Sequence, residues 1–367
     1  MRYLWEHKEW PHLTWDEHYL YRLIASISHE QGRVQGKMET LGIDLRNEAH
    51  LVTKTEDVIK SSEIEGVTLD YTEVRSSVAR RLGLEVGGIV QASERVEGVV
   101  EMMLDATENY DTILSSERLF TWHLALFPTR VVDSDTLKVG CWRDDRKGPM
   151  QVISGPIGQE TVHFQAVPAN RIEEEMSVFL QWFEDPGDLH SLFVAGLAHL
   201  WFITIHPFED GNGRIARAIT DLALARSEQF MQRYYSMSAQ ICAERNDYYN
   251  ILEITQRGSV DITGWMNWFL CCLQRAINQS DEILNTVLTK ARFWTRFAQQ
   301  SLNPRQIKVM NKFLDDFRGK LTSSKWAKIA KCSQDTATRD IQDLIKRGAL
   351  KRDSAGGRST SYSLVVE

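Results

Sequence analysis

Cysteine is scarce in this chain and does not follow a metal-binding pattern. Five cysteines are spread over 367 residues, and none of them forms a Cys-x-x-Cys pair. Cys271 and Cys272 are adjacent within an apolar helical run, a placement that suits neither a disulfide framework nor a zinc site. We therefore expect reduced thiols, as in cytosolic proteins.

Long apolar runs are also missing from the sequence. No stretch approaches the roughly 20 apolar residues that span a bilayer, and the first eight residues lack the apolar core of a signal peptide. These absences predict a soluble cytoplasmic protein with no membrane partner. Because 43% of the residues are hydrophobic, the chain can form two or three packed domains, and disorder is not expected.

Positive charge is concentrated at one end of the chain. Residues 301–367 carry 14 Lys and Arg against 7 Asp and Glu, a balance of +7. The whole chain has 43 against 50, so 29 against 43 remain for residues 1–300, a balance of −14. The basic tail therefore presents a different surface from the acidic remainder.

Residues 206–217 hold the densest group of reactive side chains: His-Pro-Phe-Glu-Asp-Gly-Asn-Gly-Arg-Ile-Ala-Arg. An apolar run precedes this segment and an apolar helical pattern follows it, which predicts a helix-loop-helix corner. Gly211, Asn212 and Gly213 lie where the second helix begins. Their main-chain N–H groups can converge there on an anion such as phosphate.

Four side chains add a base and charge to this phosphate cradle. Arg214 and Arg217 lie on one helix face and can clamp phosphate oxygens. Asp210 supplies a hard oxygen ligand that suits Mg²⁺. His206 is a base whose ordinary pKa lies near neutrality. Together these groups predict phosphoryl or nucleotidyl transfer.

The segment resembles the motif of the Fic family, His-Pro-Phe-x-(Asp/Glu)-Gly-Asn-Gly-Arg-x-x-Arg, at every defined position. Fic enzymes mostly transfer AMP from ATP to a hydroxyl side chain of a target protein. The resemblance implies a mainly α fold, a helical bundle with a β-hairpin flap, that uses ATP as substrate and Mg²⁺ as cofactor. It implies that His206 deprotonates the target hydroxyl, Phe208 anchors the loop and Asp210 holds Mg²⁺. It also implies phosphate binding by the other motif residues: Gly211, Asn212, Gly213, Arg214 and Arg217.

A second segment, residues 61–66, fits the pattern Ser/Thr-x-x-x-Glu-Gly/Asn. On its own this pattern is also that of an ordinary helix end with Gly66 as the C-cap. In many Fic proteins it marks an inhibitory helix, and class II members carry it N-terminal to the Fic core, as here. The resemblance implies that Glu65 pairs with Arg217, which leaves ATP badly placed for in-line attack.

Residues 150–166 alternate apolar and polar side chains around a Gly-Pro-Ile-Gly turn, which predicts a β-hairpin. In Fic proteins such a flap covers the active site and pairs with an extended piece of the target protein by strand addition. The resemblance implies that the rings of Tyr248 and Tyr249 flank adenine. Gln256 stands where relatives often have asparagine. The resemblance thus implies these nucleotide contacts: Val152, Ile153, Ser154, Gly155, Tyr248, Tyr249 and Gln256.

The first hundred residues are predicted to be mostly helical. An amphipathic pattern runs from Asp16 to Ser61, and further patterns cover residues 70–82 and 94–108. This part resembles the helical extension found in a subset of bacterial Fic proteins. Three tryptophans have a five-residue spacing that suits neither helix nor strand and predicts packing onto the core: Trp5, Trp10 and Trp15.

In the basic tail, helices are predicted at residues 304–317, 322–330 and 333–348, followed by a strand, a wing and a strand. This order resembles a winged helix-turn-helix. Such a domain binds DNA, docks a protein partner or forms a homodimer, and all three remain open. The residues expected on the recognition helix and in the wing are Thr336, Thr338, Arg339 and Arg358.

These observations divide the chain into a helical extension with the inhibitory helix (1–108), a Fic catalytic domain (109–290) and a winged helix-turn-helix domain (301–367). Three functions remain open. The first is a self-inhibited adenylyltransferase that modifies Tyr, Ser or Thr of target proteins and itself, and releases pyrophosphate. The second is removal of AMP, or transfer of another phosphate-linked group, at the same site. The third is a DNA-binding regulator with a vestigial enzyme domain, which the intact His206 and Asp210 argue against.

Overall fold

The computed structural model describes residues 3–84, 89–128, 137–146, 148–156, 159–228, 232–297, 300–315, 317, 319–353 and 360–365. The chain forms two compact units, Met1–Leu41 with His50–Ser280, and Gly42–Ala49 with Asp281–Glu367. Among the described residues the strands form only two small antiparallel sheets, and helices make up most of the rest. The predicted mainly α fold is confirmed.

The first unit is a helical bundle with one hairpin. Its hairpin strands are β1 (Gln151–Ser154) and β2 (Thr161–Gln165). The helices are α1 (Glu17–Glu39), α2 (Ile43–Ile64), α3 (Tyr71–Arg81), α4 (Glu94–Glu108), α5 (Ser116–Leu126), α6 (Ile172–Glu184), α7 (Ser191–Ile205), α8 (Asn212–Glu228), α9 (Met237–Ala243), α10 (Arg245–Gln256) and α11 (Thr263–Phe297).

Helix α7 forms the centre of this unit. Every residue from Leu192 to Ile205 is buried, because the sequence is apolar on all sides of the helix. It packs along α8, which is itself buried from Asn212 to Ala225 apart from Gly213. The corner between α7 and α8 is therefore supported by two helices that are buried along most of their length.

The helical predictions for the N-terminal segment agree with the structure. The amphipathic pattern that begins at Asp16 covers two helices, α1 and α2, with a break at residues 40–42. Asp16 caps α1 by accepting from the Tyr19 N–H at 2.9 Å, and Asp70 caps α3 in the same way. Trp5 and Trp10 are each 8% exposed, as expected of residues that pack onto the core.

The predicted hairpin is present. Strands β1 and β2 pair antiparallel, with Gln151 opposite Gln165 and Ser154 opposite Thr161, and a bulge follows Val152. Two residues of the turn, 157 and 158, lie outside the described residues. All four residues of β1 are exposed, so this strand presents its side chains to solvent.

The second unit contains α12 (Pro304–Asp315), β3 (Leu321–Thr322), α13 (Ser323–Ala330), α14 (Gln334–Lys346), β4 (Leu350–Arg352) and β5 (Ser361–Leu364). The three strands form one antiparallel sheet in the order β3-β5-β4. A core around the fully buried Trp326, Ile341 and Leu344 joins the helices to the sheet. The three predicted helices are present, while Arg358 lies outside the described residues.

Two further predictions concern cysteines and membrane segments. All five cysteines are free. Among the described residues, no helix is both long and apolar enough to cross a membrane.

Candidate active site

His206 ends α7 in the left-handed conformation, with φ 54° and ψ 58°. A residue with a side chain adopts this conformation at a cost of about 1–2 kcal/mol, so the surroundings must hold it. Its Nδ1 lies 3.2 Å from the Ile203 carbonyl, which can only accept, so Nδ1 carries the proton and Nε2 keeps a free lone pair. Burial lowers the pKa of His206 to about 4. The imidazole is therefore neutral at pH 7 and can act as a base.

Arg143, which the sequence analysis did not identify, holds the main chain around this histidine. The side chain is buried, and its Nε donates to the His206 carbonyl at 2.8 Å. Its main-chain N–H donates to the Pro207 carbonyl at 2.9 Å, and its Nη2 donates to the Val167 carbonyl. Asp145 accepts from Nη1 at 2.9 Å. One guanidinium thus joins the corner to the segment that follows the flap, and no spacing rule could have linked residue 143 to the motif.

The loop from residue 208 to residue 212 is closed by the side chain of Asn212. Its Oδ1 accepts from the Phe208 N–H at 2.9 Å, and its Nδ2 donates to the Phe208 carbonyl at 2.8 Å. Phe208 is fully buried and stacks on His123, with ring centroids 4.2 Å apart. The amide of Asn212 is therefore used to shape the loop, which leaves the main chain at the start of α8 to meet a ligand.

Asp210 places its carboxylate in the open, with 62% of the side chain exposed and Oδ1 3.9 Å from Arg214 Nη2. Its carbonyl accepts from His123 Nε2 at 3.1 Å, because the Gly140 N–H donates to the other ring nitrogen. Burial lowers the pKa of His123 to about 4, so this imidazole is neutral. His123 is thus a second supporting residue that the sequence analysis missed.

The carboxylate of Asp210 fits Mg²⁺, which water and phosphate also bind, better than it fits a metal that protein side chains alone must hold. Among the described residues no group of three or more His, Cys, Asp or Glu side chains could hold a metal ion. Mg²⁺ commonly uses one or two carboxylates, several waters and the phosphates of its substrate. The exposed carboxylate of Asp210 is suited to that role.

Arg214 and Arg217 are both buried, with 5% and 2% of their surface exposed. Arg217 donates from Nε to Ser61 Oγ at 3.0 Å and from Nη2 to the Ser61 carbonyl at 2.8 Å. Nη1 of Arg217 and Nε of Arg214 have no hydrogen-bond partner among the described residues. Buried donors of this kind are costly unless something accepts from them, and a bound anion would do so.

Glu65 lies at this same place. Its Oε1 is 2.8 Å from Arg217 Nη2, although 152 residues separate the two in sequence. A Cβ atom added at Gly213 would come within 2.1 Å of the same oxygen. The carboxylate therefore occupies the space that the missing side chain of Gly213 leaves open. Gly66, with φ 76°, ends the preceding helix, so residues 61–66 form a helix end and also contribute an ion pair.

About two turns earlier along α2, a second charged contact reaches α8. Arg233 lies between Asp57 of α2 and Asp221 of α8, with its Nη2 3.4 Å from Asp57 and hydrogen-bonded to Asp221. All three side chains are at most 5% exposed. Burial and the nearby Asp221 raise the pKa of Asp57, while Arg233 and Lys54 oppose that shift. No sequence pattern indicates this cluster.

The residues expected to contact adenine differ in how far they are exposed. Tyr248 is 2% exposed, and its hydroxyl lies 2.9 Å from His199 Nε2, whereas Tyr249 is 39% exposed. Gln256 is also buried, and its Nε2 donates to Thr204 Oγ1 at 3.2 Å. The structure therefore brings only the Tyr249 ring of this set to the surface.

The four flap residues expected near the nucleotide lie together at the end of β1. Val152 and Ile153 are 37% and 54% exposed, and Gly155 adopts φ 103° in the turn. Ser154 Oγ lies 2.6 Å from His163 Nε2 on the neighbouring strand. Their proposed contacts with a nucleotide remain predictions.

Two family models match the chain. The Fic/DOC family model matches residues 113–224, and a domain of unknown function, DUF4172, matches residues 3–84. A protein adenylyltransferase Fic of Nematostella vectensis is 27% identical over 226 residues, which are 60% of this chain and 47% of that protein. Its counterpart in Drosophila willistoni is 29% identical over 28% of this chain and 20% of that protein. The chain thus matches about half or less of the length of these curated relatives.

Solved structures show the same fold. A Fic family protein from Desulfovibrio desulfuricans is 22% identical, with 95% of this chain and 96% of that chain covered at a TM-score of 0.54. A Fic domain containing signaling protein from Bacteroides thetaiotaomicron is 20% identical, with 71% and 97% covered at a TM-score of 0.52. These similarities show the fold, and the Fic/DOC match around the corner of α7 and α8 identifies residues 113–224 as a domain of the Fic/DOC family.

Proposed function

We propose that this protein is a self-inhibited protein adenylyltransferase, which transfers AMP from ATP to a hydroxyl side chain of a target protein or of itself. The observation that carries the proposal is the pair between Glu65 and Arg217 inside an intact motif corner. A carboxylate held by a buried guanidinium group marks the place as one that accepts an anion. The adenylyltransferase name of the curated relatives supports the choice of reaction.

In the proposed reaction His206 acts as the general base. Its Nε2 takes the proton of the acceptor hydroxyl as the oxygen bonds to the α-phosphorus, and the bond to the departing pyrophosphate breaks. Arg214 and Arg217 neutralise the phosphate charge through their buried N–H groups. Mg²⁺ held at Asp210 would supply further charge neutralisation when bound. Arg143 and Asn212 keep the base and the loop in position.

Glu65 inhibits this reaction by position and by charge. Its carboxylate uses a donor of Arg217 that would otherwise orient the terminal phosphate, and its negative charge repels that phosphate. Misplacement of the phosphate chain turns the α-phosphorus away from in-line attack, and loss of such orientation can cost several kcal/mol of barrier. A nucleotide could therefore bind without reacting.

The decisive experiment removes this carboxylate. The Glu65→Gly variant, given Mg²⁺ and labelled ATP, is expected to label itself and target proteins at least tenfold faster than the unmodified protein. Glu63→Gly is the matched control, because Glu63 lies on the same helix end but pairs with Lys60 at an exposed position. GTP, UTP and CTP in parallel reactions test whether the transferred group is AMP. Equal rates in both variants would leave residues 61–66 as an ordinary helix end.

The role of His206 is tested separately. His206→Ala in the Glu65→Gly background is expected to bind ATP and Mg²⁺ normally, because the imidazole acts on the acceptor and not on the nucleotide. Transfer to target proteins should disappear. Undiminished target labelling would contradict the assignment of His206 as the base.

We further propose that the second unit is a winged helix-turn-helix domain that binds DNA. The order helix, strand, helix, helix, strand, strand and the β3-β5-β4 sheet support this choice. Binding to duplex DNA should weaken steeply as salt rises, and Arg339→Ala or Arg358→Ala should weaken it further, whereas Arg275→Ala in the first unit should not. Salt-independent binding, or none to any duplex, would favour a protein-docking role.

A further inference from the structure

Where the flap meets α10, a serine, a histidine and a glutamate are hydrogen-bonded in a line. Ser154 Oγ lies 2.6 Å from His163 Nε2, and His163 Nδ1 lies 2.7 Å from Glu253 Oε2. Ser154 ends β1, His163 lies in β2, and Glu253 lies in α10. We call this set the flap relay. It shares no hydrogen bond with the motif corner among those described above.

The proton positions in the flap relay follow from its chemistry. An ionised carboxylate only accepts, so Nδ1 of His163 carries the proton and donates it to Glu253. The neutral ring then has its lone pair on Nε2, and the Ser154 hydroxyl donates to it. In this arrangement a histidine can take the proton of an attacking serine while an acid fixes its tautomer. Ser154 is exposed, so its oxygen can be reached from solvent.

The relay histidine is also held through its main chain. Arg257 Nε donates to the His163 carbonyl at 2.7 Å, and Arg257 Nη2 donates to the Val162 carbonyl. The same guanidinium lies 3.2 Å from Glu253 Oε1. Side chain and main chain of His163 are therefore held by α10 and by the residue that follows it, which gives the relay a defined geometry.

Helix α10 places the relay beside residues that border the motif corner. Tyr249, one turn before Glu253, has its hydroxyl 3.4 Å from the Ile64 carbonyl at the end of α2. Gln256, one turn after Glu253, contacts Thr204 near the end of α7. Residues three and four apart are neighbours on a helix surface. Glu253 of the relay therefore lies next to two of the residues expected to contact adenine, Tyr249 and Gln256.

We propose that the flap relay is a second nucleophilic site, at which Ser154 accepts AMP when the protein modifies itself. This inference rests on the proposed function. Ser154 Oγ bonds to the α-phosphorus of ATP, the bond from that phosphorus to the pyrophosphate oxygen breaks, and pyrophosphate leaves. The hydroxyl proton passes to His163 Nε2 and then to water, while Glu253 holds the ring. Because Ser154 has its own base, this transfer does not need His206.

The first arm of the test measures the reactivity of the hydroxyl without any nucleotide. A fluorophosphonate probe, which forms a bond to activated serine oxygens and releases fluoride, is expected to label Ser154. His163→Gln should lower the labelling rate about a hundredfold, as for loss of a general base, and Glu253→Gln about tenfold. Thr161 lies opposite Ser154 and is the internal control, since both ring nitrogens of His163 are already engaged. Labelling of Ser154 no faster than of Thr161 would reduce the relay to a latch for the flap.

The second arm maps AMP by mass spectrometry in the Glu65→Gly variant supplied with ATP and Mg²⁺. AMP on Ser154 that persists in Glu65→Gly/His206→Ala, and falls about a hundredfold in Glu65→Gly/His163→Gln, supports the inference. AMP on target proteins or at other positions, but not on Ser154, overturns it and leaves the proposed function intact. Failure to transfer AMP anywhere overturns the proposed function, and the probe arm then decides alone whether Ser154 is an activated nucleophile.

Discussion

Among the described residues, two charged contacts link residues 57–65, in and just after α2, to α8. Comparing them distinguishes a contact that stabilises the fold from one that can be released. At the first contact Arg233 lies between Asp57 and Asp221, and all three side chains are buried. At the second, Arg217 is buried, but 29% of the Glu65 side chain reaches solvent. Removing a charge from water is costly, so the buried contact cannot open without leaving ions unpaired. The half-exposed contact can exchange its carboxylate for water or another anion.

The largest expected effect comes from breaking the buried contact. Arg233→Met leaves Asp57 and Asp221 buried without their cation, and the free energy of unfolding should fall by about 3–5 kcal/mol, as for other buried pairs that lose one partner. Urea denaturation measures this change. Arg275→Met is the control, because its pair with Glu244 is exposed on the arginine side and should be worth no more than about 1 kcal/mol. Equal losses in the two variants would show that burial does not distinguish these contacts.

A second prediction tests whether Arg143 holds His206 in position once Glu65 is substituted. Arg143→Met in the Glu65→Gly background removes the donor to the His206 carbonyl, so the strained histidine can relax. The turnover rate should fall about a hundredfold with little change in the affinity for ATP, because the base moves and the phosphate donors do not. Titration of His206 by NMR is the independent measurement, since loss of the nearby charge should raise its pKa. An unchanged turnover rate and pKa would reduce Arg143 to a packing residue.

A third prediction tests whether Glu65 inhibits transfer by pairing with Arg217. Glu65→Gly should raise the rate of transfer at least tenfold, and Arg217→Ala in that background should abolish the gain, because the freed guanidinium is what the first change supplies. Together with Arg217→Ala alone, these variants form a double-mutant cycle. Its coupling energy is obtained from initial labelling rates. Additive effects would mean that Glu65 inhibits without acting on Arg217.

The smallest expected effect concerns pH. Burial lowers the pKa of His206 to about 4, so the base stays neutral from pH 8 to pH 5.5, and the activity of Glu65→Gly should change less than twofold over that range. An imidazole at its ordinary value of about 6.5 would lose about tenfold by pH 5.5. The folded chain keeps this ring neutral while the unfolded chain protonates it, so stability should also decrease as pH falls from 6.5 to 4. A midpoint of activity near pH 6.5 would contradict the assigned environment.

The difference between the two contacts also explains what the sequence could and could not predict. Glu65 and Arg217 each belong to a contiguous pattern, and the resemblance to the Fic family implied that the two residues pair. Local spacing alone predicted the hairpin and helices such as α3, where Asp70 supplies a capping signal before an apolar pattern. Patterns of this kind record local geometry, which a sequence displays directly.

No local sequence pattern indicates the residues that support the site. Arg143, His123 and Arg233 act on main-chain or side-chain atoms that lie far from them in sequence, and nothing local to them differs from an ordinary helix or loop. The position of Tyr248 is a further example, because packing buries this residue with its hydroxyl on His199, and no local pattern indicates that contact. Tertiary packing decides such positions, and it follows from the whole fold.

Because Gly213 has no side chain, the concentration at which an external anion can bind there depends on Glu65. The space above this glycine holds one oxygen of Glu65 and is closed to a Cβ atom, so it admits one occupant at a time. An external anion that binds here must therefore compete with a tethered carboxylate whose effective concentration is set by the chain and cannot be diluted. Its apparent affinity equals its intrinsic affinity multiplied by the fraction of molecules in which Glu65 has already withdrawn. The site thus has a threshold, and only a ligand present above that tethered concentration, or one that makes added contacts, can occupy it.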